Sequence, residues 1–228
     1  MEPDREPSPA FDLSRTILPV TSIRRLGLLG GTFDPIHRGH LALAEYAMEH
    51  LPLDQVWFIP SARPPHKTRR IVAPPDIRWE MTRKAVEPYE PRFVPVNIEL
   101  RRPGFSFTVH TIAEIRRLVG ADVELFWVIG RDNVSEIPNW HRPRQLVALA
   151  AIVAGGRPGA ELPEEVPAWL SPRLILLDGP NVAISSTRIR EQAKMGILDP
   201  EALPEPVMRI IEREGLYGYP GSPAKKRT

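Results

Sequence analysis

Two histidines three positions apart, His37 and His40, stand in the stretch GGTFDPIHRGHL at residues 30–41. The stretch follows the apolar run LGLL, which predicts a short buried strand that ends at glycines. If a helix begins near residue 38, both imidazoles lie at its N-terminus and on nearly the same face, where the helix dipole attracts an anion. Glycine at Gly31 lets a ligand approach the backbone closely. The combination predicts a phosphate-binding loop in which histidines replace the usual lysine.

A second helix start, ISSTRIR at residues 184–190, repeats this combination of capping and basic side chains. Ser185, Ser186 or Thr187 can cap the helix, and Arg188 then falls in its first turn. A cation there opposes the helix dipole unless an anion is bound, and arginine can form two hydrogen bonds to one phosphate. A capped surface helix with solvated arginines is the alternative. The pairing with the histidine loop favours two cationic helix ends that bind one anion.

Two other interpretations of the histidine loop are weaker. A zinc site lacks an evident third ligand, because helical zinc motifs place two histidines four positions apart and add a glutamate. A plain surface turn around Asp34 and Pro35 explains each histidine alone, but not the whole combination after a strand. We expect Asp34 to shape the loop rather than to act as a catalytic acid.

The elements that must position these residues alternate between strand and helix. Apolar runs such as VELFWVIG predict buried strands, and RGHLALAEYAMEH at residues 38–50 has the apolar period of a helix. The alternation predicts an α/β fold, a Rossmann-like doubly wound parallel sheet with helices on both faces. Ligands bind such sheets at the carboxyl ends of the strands. The loops at 30–40, 60–75 and 130–142 and the helix start at 185–188 are therefore candidate sites.

Three further segments carry details of the predicted fold. The stretch DIRWEMTRKAVE predicts a helix that is capped by its aspartate, Asp76, and RFVPVNIEL predicts an extended segment. The stretch PEPVMRIIEREG predicts a last helix that ends at Gly215.

Composition restricts the classes of function. The chain has 228 residues, no cysteine and a net charge of +2. The lack of cysteine excludes disulfides, thiolate nucleophiles and cysteine-based zinc sites. No apolar run reaches the length of a membrane helix, and the first residues lack the apolar core of a signal peptide, so we expect a cytoplasmic protein. The near balance of basic and acidic residues gives no general affinity for nucleic acid.

The chain divides into three predicted parts. Residues 1–22 are rich in proline, serine and charge, which predicts a disordered or loosely attached arm. Residues 23–216 form the predicted folded domain, and residues 217–228 a flexible basic tail.

The two helix starts resemble the HxGH and ISSTxxR motifs of the nucleotidylyltransferase superfamily. Further stretches follow in the order typical of bacterial nicotinate-nucleotide adenylyltransferases: IPSARPPHK, IELRRPGFSFT, FWVIGRDN and IPNWH. The resemblance covers roughly residues 25–215. Phosphopantetheine adenylyltransferases share the first two motifs but not the PPHK loop, so they are the poorer match. This chain departs from the family at Phe107, where tyrosine is usual, and at His110, where many members have aspartate.

The resemblance implies a Rossmann-like enzyme that transfers AMP from ATP to nicotinate mononucleotide and releases pyrophosphate. It implies that His37 and His40 hold the triphosphate and stabilise charge at the α-phosphate. It also implies that Ser186 and Arg188 hold the leaving pyrophosphate. The other implied ATP contacts are made by the backbone of Gly31, Thr32 and Phe33 and by Asp132 at the ribose, while Lys67 steers phosphate.

The same resemblance implies an acceptor pocket. Trp140 stacks on the nicotinate ring, Phe107 packs nearby, and Thr108 and the backbone of His141 meet the ring carboxylate. Mg²⁺ is expected to bind mainly through the ATP phosphates, with no metal site made by the protein alone. A homo-oligomer is compatible with the sequence, and neither a nucleic acid nor a membrane is an expected partner.

Three alternatives stay open at this point. The acceptor can be nicotinamide mononucleotide or phosphopantetheine. The chain can be a non-catalytic nucleotide-binding protein of the same fold, although the presence of both histidines and Arg188 disfavours this. A nucleic-acid binder that uses loop 61–70 and the tail lacks the interleaved aromatic residues of known modules.

Overall fold

The computed structural model of the chain describes residues 22–65, 72–156 and 165–220. Strands and α-helices alternate along most of this length, as the sequence predicts. Their bounds, in chain order, are β1 (Arg25–Gly31), α1 (Arg38–His50), β2 (Gln55–Pro60), α2 (Pro75–Val86), β3 (Phe93–Pro95), α3 (Thr108–Val119), β4 (Glu124–Gly130), α4 (Pro143–Leu149), β5 (Ala151–Gly155), β6 (Leu174–Leu177), α5 (Ser186–Lys194) and α6 (Glu205–Glu214).

The strands form one parallel sheet in the order β3-β2-β1-β4-β5-β6. From β1 the chain runs to one edge of the sheet, and it then crosses to β4 and runs to the other edge. The strand order therefore reverses between β1 and β4, where the carboxyl ends of neighbouring strands leave a crevice for ligands. This arrangement confirms the predicted doubly wound fold.

Apolar residues cover both faces of the sheet because successive side chains of a strand point to opposite sides. On one face, Leu29 and Phe58 pack with residues of α1, α2, α5 and α6. On the other face, Leu28 and Trp57 pack with residues of α3 and α4. Helices therefore lie on both faces, as predicted, and hold the loops at the carboxyl ends of the strands in place.

Two predicted details differ in the structure. Asp76 does not cap α2: the helix begins at Pro75, with Pro74 as its N-cap, and Asp76 lies in the first turn. Proline suits the first helical position because its missing N–H has no helical acceptor there, and an acidic residue one position later suits the dipole. The extended segment predicted for RFVPVNIEL shortens to β3, and a turn follows in which the N–H of Leu100 donates to the carbonyl of Asn97.

The C-terminal boundary also needs correction. Helix α6 ends at Gly215, which has a positive φ of 59°, as the sequence predicts for a C-terminal glycine. Tyr217, however, is buried in the core rather than part of a flexible tail. Its hydroxyl donates to the carboxylate of Asp34 over 2.9 Å, so the folded domain extends past residue 216.

Among the helices of the described segments, none combines the length and the apolar character that crossing a membrane requires.

Candidate active site

The loop between β1 and α1 depends on two glycines. A Cβ at Gly30 would overlap the indole ring of Trp127 on the neighbouring strand β4. A Cβ at Gly31 would come within 2.8 Å of the ring of Phe33, which folds back over the strand end with a positive φ of 49°. The glycines therefore let a strand end, an aromatic ring and the next strand meet in a space that any larger residue would fill.

The two histidines form a stacked pair at the start of α1. His37 is the N-cap residue, and its ring lies 3.7 Å from the ring of His40, at an interplanar angle of 24°. The backbone N–H of His37 donates to Nδ1 of His40 over 3.2 Å. Because Nδ1 accepts this bond, the neutral ring of His40 carries its proton on Nε2, where it can donate to a ligand.

His37 is neutral at physiological pH in the free protein. Burial lowers the pKa of its imidazole from 6.5 to about 4. The interpretation of this helix start as a cationic end is therefore wrong for His37. Its buried imidazole can act as a neutral hydrogen-bond donor, and the helix N-terminus supplies a positive field without a charged side chain.

Gly39 explains the spacing of the histidine motif. A Cβ at this position would lie 3.0 Å from Nδ1 of His37 and 3.5 Å from the Cβ of Ile184. The absence of a side chain thus allows the His37 ring to pack over the helix start. It also lets the segment before α5 come close to α1.

The starts of α1 and α5 are joined by hydrogen bonds. Ser185 caps α5, and its hydroxyl accepts from the N–H of Arg188 over 3.3 Å. The hydroxyl of Ser186 donates to the carbonyl of Pro35 over 3.0 Å. Because that proton is used within the protein, the first-turn N–H groups of α5 other than that of Arg188 are the natural donors to an anion. The side chain of Arg188 is exposed at this helix start, which the Ser186 bond joins to the loop before α1.

Asp34 shapes the loop, as the sequence predicts. Its buried carboxylate accepts hydrogen bonds from the N–H groups of Val72 and Ala73, over 2.9 Å and 3.1 Å, and from the hydroxyl of Tyr217. Its carbonyl accepts from the guanidinium of Arg190 over 2.8 Å. Burial and the neighbouring carboxylate raise the pKa of Tyr217, so the phenol keeps its proton and this donor role.

The predicted acceptor residues lie at the start of α3 and just beyond the 3₁₀ segment that follows β4. Phe107 and Thr108 begin α3, and Trp140 follows the 3₁₀ segment at residues 131–139. The ring of Phe107 lies 4.3 Å from the ring of His141, and His110 meets both rings edge-on, at 5.6 Å and 5.3 Å. Trp140 is half-buried against the α3 face of the core. The structure thus joins Phe107 and His141, and it adds His110, one of the two positions at which the chain departs from the family pattern.

Asp132 lies just beyond β4, the strand beside β1. Its side chain is exposed, and it accepts from the side-chain amide of Asn133 over 3.0 Å. The preceding Arg131 is buried and donates to the carbonyl of Leu177 and to Asp178, over 2.9 Å and 2.8 Å. Arg131 therefore fixes the loop that presents Asp132.

Lys67, the predicted phosphate-steering residue, lies outside the described residues.

Among the residues that sequence reasoning missed is a buried cation beside the site, Arg78 of α2. A signal was present, because the helical period places Arg78 in one stripe with Met81, Thr82 and Ala85, which are all buried.

Comparison with known proteins identifies the family. The cytidylyltransferase-like family model matches residues 28–192. A relative from Thermus thermophilus, named "Probable nicotinate-nucleotide adenylyltransferase", is 46% identical over 193 residues, which are 85% of this chain and 99% of the relative. A relative of the same name from Desulfitobacterium hafniense is 40% identical over 202 residues, 85% of this chain and 96% of the relative.

The fold agrees with solved structures. The Plasmodium falciparum nicotinic acid mononucleotide adenylyltransferase complexed with APC superposes with a TM-score of 0.70, at 16% identity, over 86% of this chain and 98% of that chain. The same enzyme complexed with NaAD gives a TM-score of 0.69, again at 16% identity, over 86% of this chain and 98% of that chain. At this identity the likeness supports the fold, while the curated relatives define the family. The chain belongs to the nicotinate-nucleotide adenylyltransferase family of nucleotidyltransferases.

Proposed function

We propose that this chain transfers the adenylyl group of ATP to nicotinate mononucleotide and forms deamido-NAD and pyrophosphate. One observation carries the proposal: the helix start with the stacked histidines and the helix start with Arg188 are held together by the bond from Ser186 to Pro35. Two helix N-termini that meet in this way can hold a polyphosphate from two sides. Family membership supplies the substrate class.

The reaction needs positioning and charge stabilisation more than acid–base catalysis. A phosphate oxygen of the mononucleotide attacks the α-phosphorus of ATP and forms the new P–O bond. The bond from the α-phosphorus to the bridging oxygen breaks, and pyrophosphate leaves with the electron pair. The attacking oxygen is already anionic, so no protein base has to remove a proton.

The residues at the helix starts divide the work on the triphosphate. His40 donates from Nε2 to an α-phosphate oxygen. Neutral His37 holds the His40 ring in place by stacking on it and by donating its backbone N–H to Nδ1 of His40. Charge that develops in the transition state strengthens these bonds. Arg188 and the first turn of α5, which contains Ser186, hold the leaving pyrophosphate.

The remaining proposed ATP contacts come from the loops after β1 and β4. The backbone of Gly31, Thr32 and Phe33 lines the path of the nucleotide, and Asp132 accepts from the ribose hydroxyls. Lys67 completes this set in the proposal and steers phosphate.

The aromatic group is the proposed acceptor pocket. Trp140 stacks on the pyridine ring, with Phe107 packed nearby, and Thr108 and the backbone of His141 meet its carboxylate. The ring contact between Phe107 and His141 and the partial exposure of Trp140 support this assignment.

We propose that Mg²⁺ enters the site with ATP rather than at a metal site made by the protein alone. Within the described ranges, no three His, Asp or Glu side chains gather as a set that could hold a metal ion. An ion held by phosphate oxygens and water fits such a site, and it neutralises phosphate charge when bound. We further propose a cytoplasmic location, and a homo-oligomer is compatible with this function.

An acceptor comparison tests the proposed substrate. The purified chain is incubated with ATP and Mg²⁺ and with nicotinate mononucleotide, nicotinamide mononucleotide or phosphopantetheine, and pyrophosphate and the dinucleotide product are measured. We expect kcat/KM to be at least tenfold higher for nicotinate mononucleotide than for either alternative. Equal turnover of the amide would reject the substrate assignment, and a lack of pyrophosphate with every acceptor would support a non-catalytic nucleotide binder.

Substitution of His40 tests the mechanism. His40→Ala removes the donor at the α-phosphate, so we expect kcat to fall by about 10²–10³-fold, the usual effect of losing one oxyanion donor. The control is His50→Ala at the far end of α1, where the histidine is exposed. Circular dichroism should show both variants folded. A folded His40→Ala variant with full turnover contradicts the mechanism.

A further inference from the structure

Arg78 stands out as a buried cation whose hydrogen bonds go to backbone carbonyls beside the proposed site. One terminal nitrogen of its guanidinium donates to the carbonyls of Thr32 and Ser61, over 2.7 Å and 2.6 Å. The other terminal nitrogen donates to the carbonyl of Ala62 over 3.3 Å, and Nε donates to that of Ala73 over 3.2 Å. Arg78 therefore joins the loop after β1 to both ends of the segment that connects β2 to α2.

A residue buried for stability alone would more often be apolar. Burial lowers the pKa of Arg78, and the charge is stabilised in part by Asp34 nearby. A charged side chain in a core costs free energy unless polar partners surround it. The planar guanidinium can bond several carbonyls in fixed directions at once, whereas an ammonium group cannot reproduce that geometry. The chemistry of Arg78 thus suits a role in which the orientation of carbonyls matters.

The hydrogen bonds to the carbonyls of Gly31 and Thr32 fix the directions in which the next N–H groups along the chain, those of Thr32 and Phe33, point. The N–H of Ser61 donates to the carbonyl of Gly31 over 2.8 Å, and Arg78 binds the carbonyl of Thr32. In a planar trans peptide unit the C=O and the following N–H point in opposite directions. The N–H groups of Thr32 and Phe33 are therefore turned away from the β2 loop and from Arg78. Phe33 keeps this orientation with a positive φ.

We propose that Arg78 is a positioning residue for ATP: it sets the direction of the Phe33 N–H and holds the β1 and β2 loops at a fixed separation. The inference rests on the proposed function, because it takes these loops as the path of the nucleotide. Arg78 itself is buried under the loop and acts through the backbone, so it touches no substrate.

The test separates positioning from stability with two substitutions and a matched control. Arg78→Met removes the charge and the donors, and Arg78→Lys keeps the charge but loses the planar fork. Arg83→Met removes an exposed arginine from the same helix. The measurements are thermal unfolding, the affinity for α,β-methylene ATP with Mg²⁺, and the KM of each substrate with kcat.

We expect both Arg78 variants to bind the ATP analogue at least tenfold more weakly and to raise the KM for ATP to the same extent. The KM for the acceptor should change less than threefold, and Arg83→Met should match the wild type. A purely structural role would lower the active fraction, and thus the apparent kcat, without this selective change in nucleotide affinity.

Three outcomes overturn the proposal. They are a folded Arg78→Lys variant with wild-type affinity for the analogue, an equal rise in the KM of both substrates, and unfolding of both Arg78 variants at the assay temperature. The affinity for the analogue does not depend on the acceptor, so an error in the proposed acceptor leaves this measurement valid. A wild type that does not bind the analogue rejects the proposed function itself.

Discussion

At the scale of single residues, the two histidines of the proposed site act as oriented hydrogen-bond donors, and His37 does so without a charge. The bond from the His37 N–H to the His40 ring decides which nitrogen of His40 carries its proton. Burial keeps the neighbouring imidazole neutral. A neutral donor can stay under an aromatic ring and against a helix start, where a permanent charge would be costly without its anion. Arg188, at the exposed start of α5, supplies positive side-chain charge.

The buried neutral state of His37 makes stability depend on pH. Its folded pKa of about 4 lies below its unfolded value of 6.5, so the unfolded chain binds the proton more tightly. Stability is therefore full above pH 6.5 and falls as the pH decreases towards 4. We expect the wild type to lose about 2 kcal/mol through this residue between about pH 7 and pH 4.5. Urea unfolding at several pH values measures the loss.

His37→Phe is the control for this prediction, because it keeps an aromatic ring and removes the titration. Carboxylates titrate equally in both proteins, so the difference between the two pH profiles isolates His37. Parallel profiles would show that the imidazole is not held neutral by the fold.

At the scale of elements, the proposed site depends on how two helix starts are capped and docked. The hydroxyl of Ser185, the N-cap residue, accepts a hydrogen bond from the first turn of α5, while the hydroxyl of Ser186 donates to the loop before α1. The neighbouring serines therefore have different tasks, one local and one between elements. The sequence predicted that a serine or threonine would cap α5. It did not decide which one, because three consecutive hydroxyl residues have similar capping propensity.

The capping role of Ser185 predicts a loss of stability on substitution. Ser185→Ala removes the acceptor for the N–H of Arg188, so we expect a loss of about 1 kcal/mol in the free energy of unfolding. Ser185→Asn should retain most of the stability, because asparagine is an equally good cap. Denaturant unfolding of the three proteins provides the measurement. An alanine variant as stable as the wild type would assign the cap to another group.

At the scale of the whole molecule, the proposed ligand would connect parts of the chain that are far apart in sequence. The histidine loop follows β1, the first strand, while Arg188 lies in α5, which comes after the last strand of the sheet. A ligand held by both should oppose separation of the two ends of the fold. Binding to the native state alone raises stability in proportion to the logarithm of ligand concentration.

This linkage predicts stabilisation of the complete domain by ATP. At about 100 times its Kd, ATP with Mg²⁺ should add about 2.7 kcal/mol, which for a domain of this size raises Tm by roughly 5–10 °C. Arg188→Ala should lose most of the shift at the same ligand concentration. The exposed Arg209 of α6 provides the control variant, Arg209→Ala, which should show the same ATP-induced shift in Tm as the wild type. Thermal scans with and without ATP decide, and an unchanged shift in Arg188→Ala would remove Arg188 from the proposed phosphate site.

The sequence was sufficient for the order of the elements, and it was less informative about contacts between distant segments. Helix α1 has the predicted bounds of residues 38–50, because its apolar period and its basic start are local features. The hydrogen bonds of Tyr217 and Arg78 were missed because each partner is remote in sequence: the carboxylate of Asp34 for Tyr217, and the carbonyl of Thr32 for Arg78. The neutral state of His37 was also beyond the sequence, because burial causes it.

The contact of Gly30 with Trp127 also limits how this family can diverge. The indole of Trp127 occupies the volume where a side chain at residue 30 would begin, so a side chain at residue 30 and an indole at residue 127 would overlap. A lineage can place alanine at residue 30 only after residue 127 has become smaller, and the reverse order passes through an overpacked intermediate. We therefore expect alignments of relatives to show these positions varying together, with glycine at the first wherever the second is tryptophan.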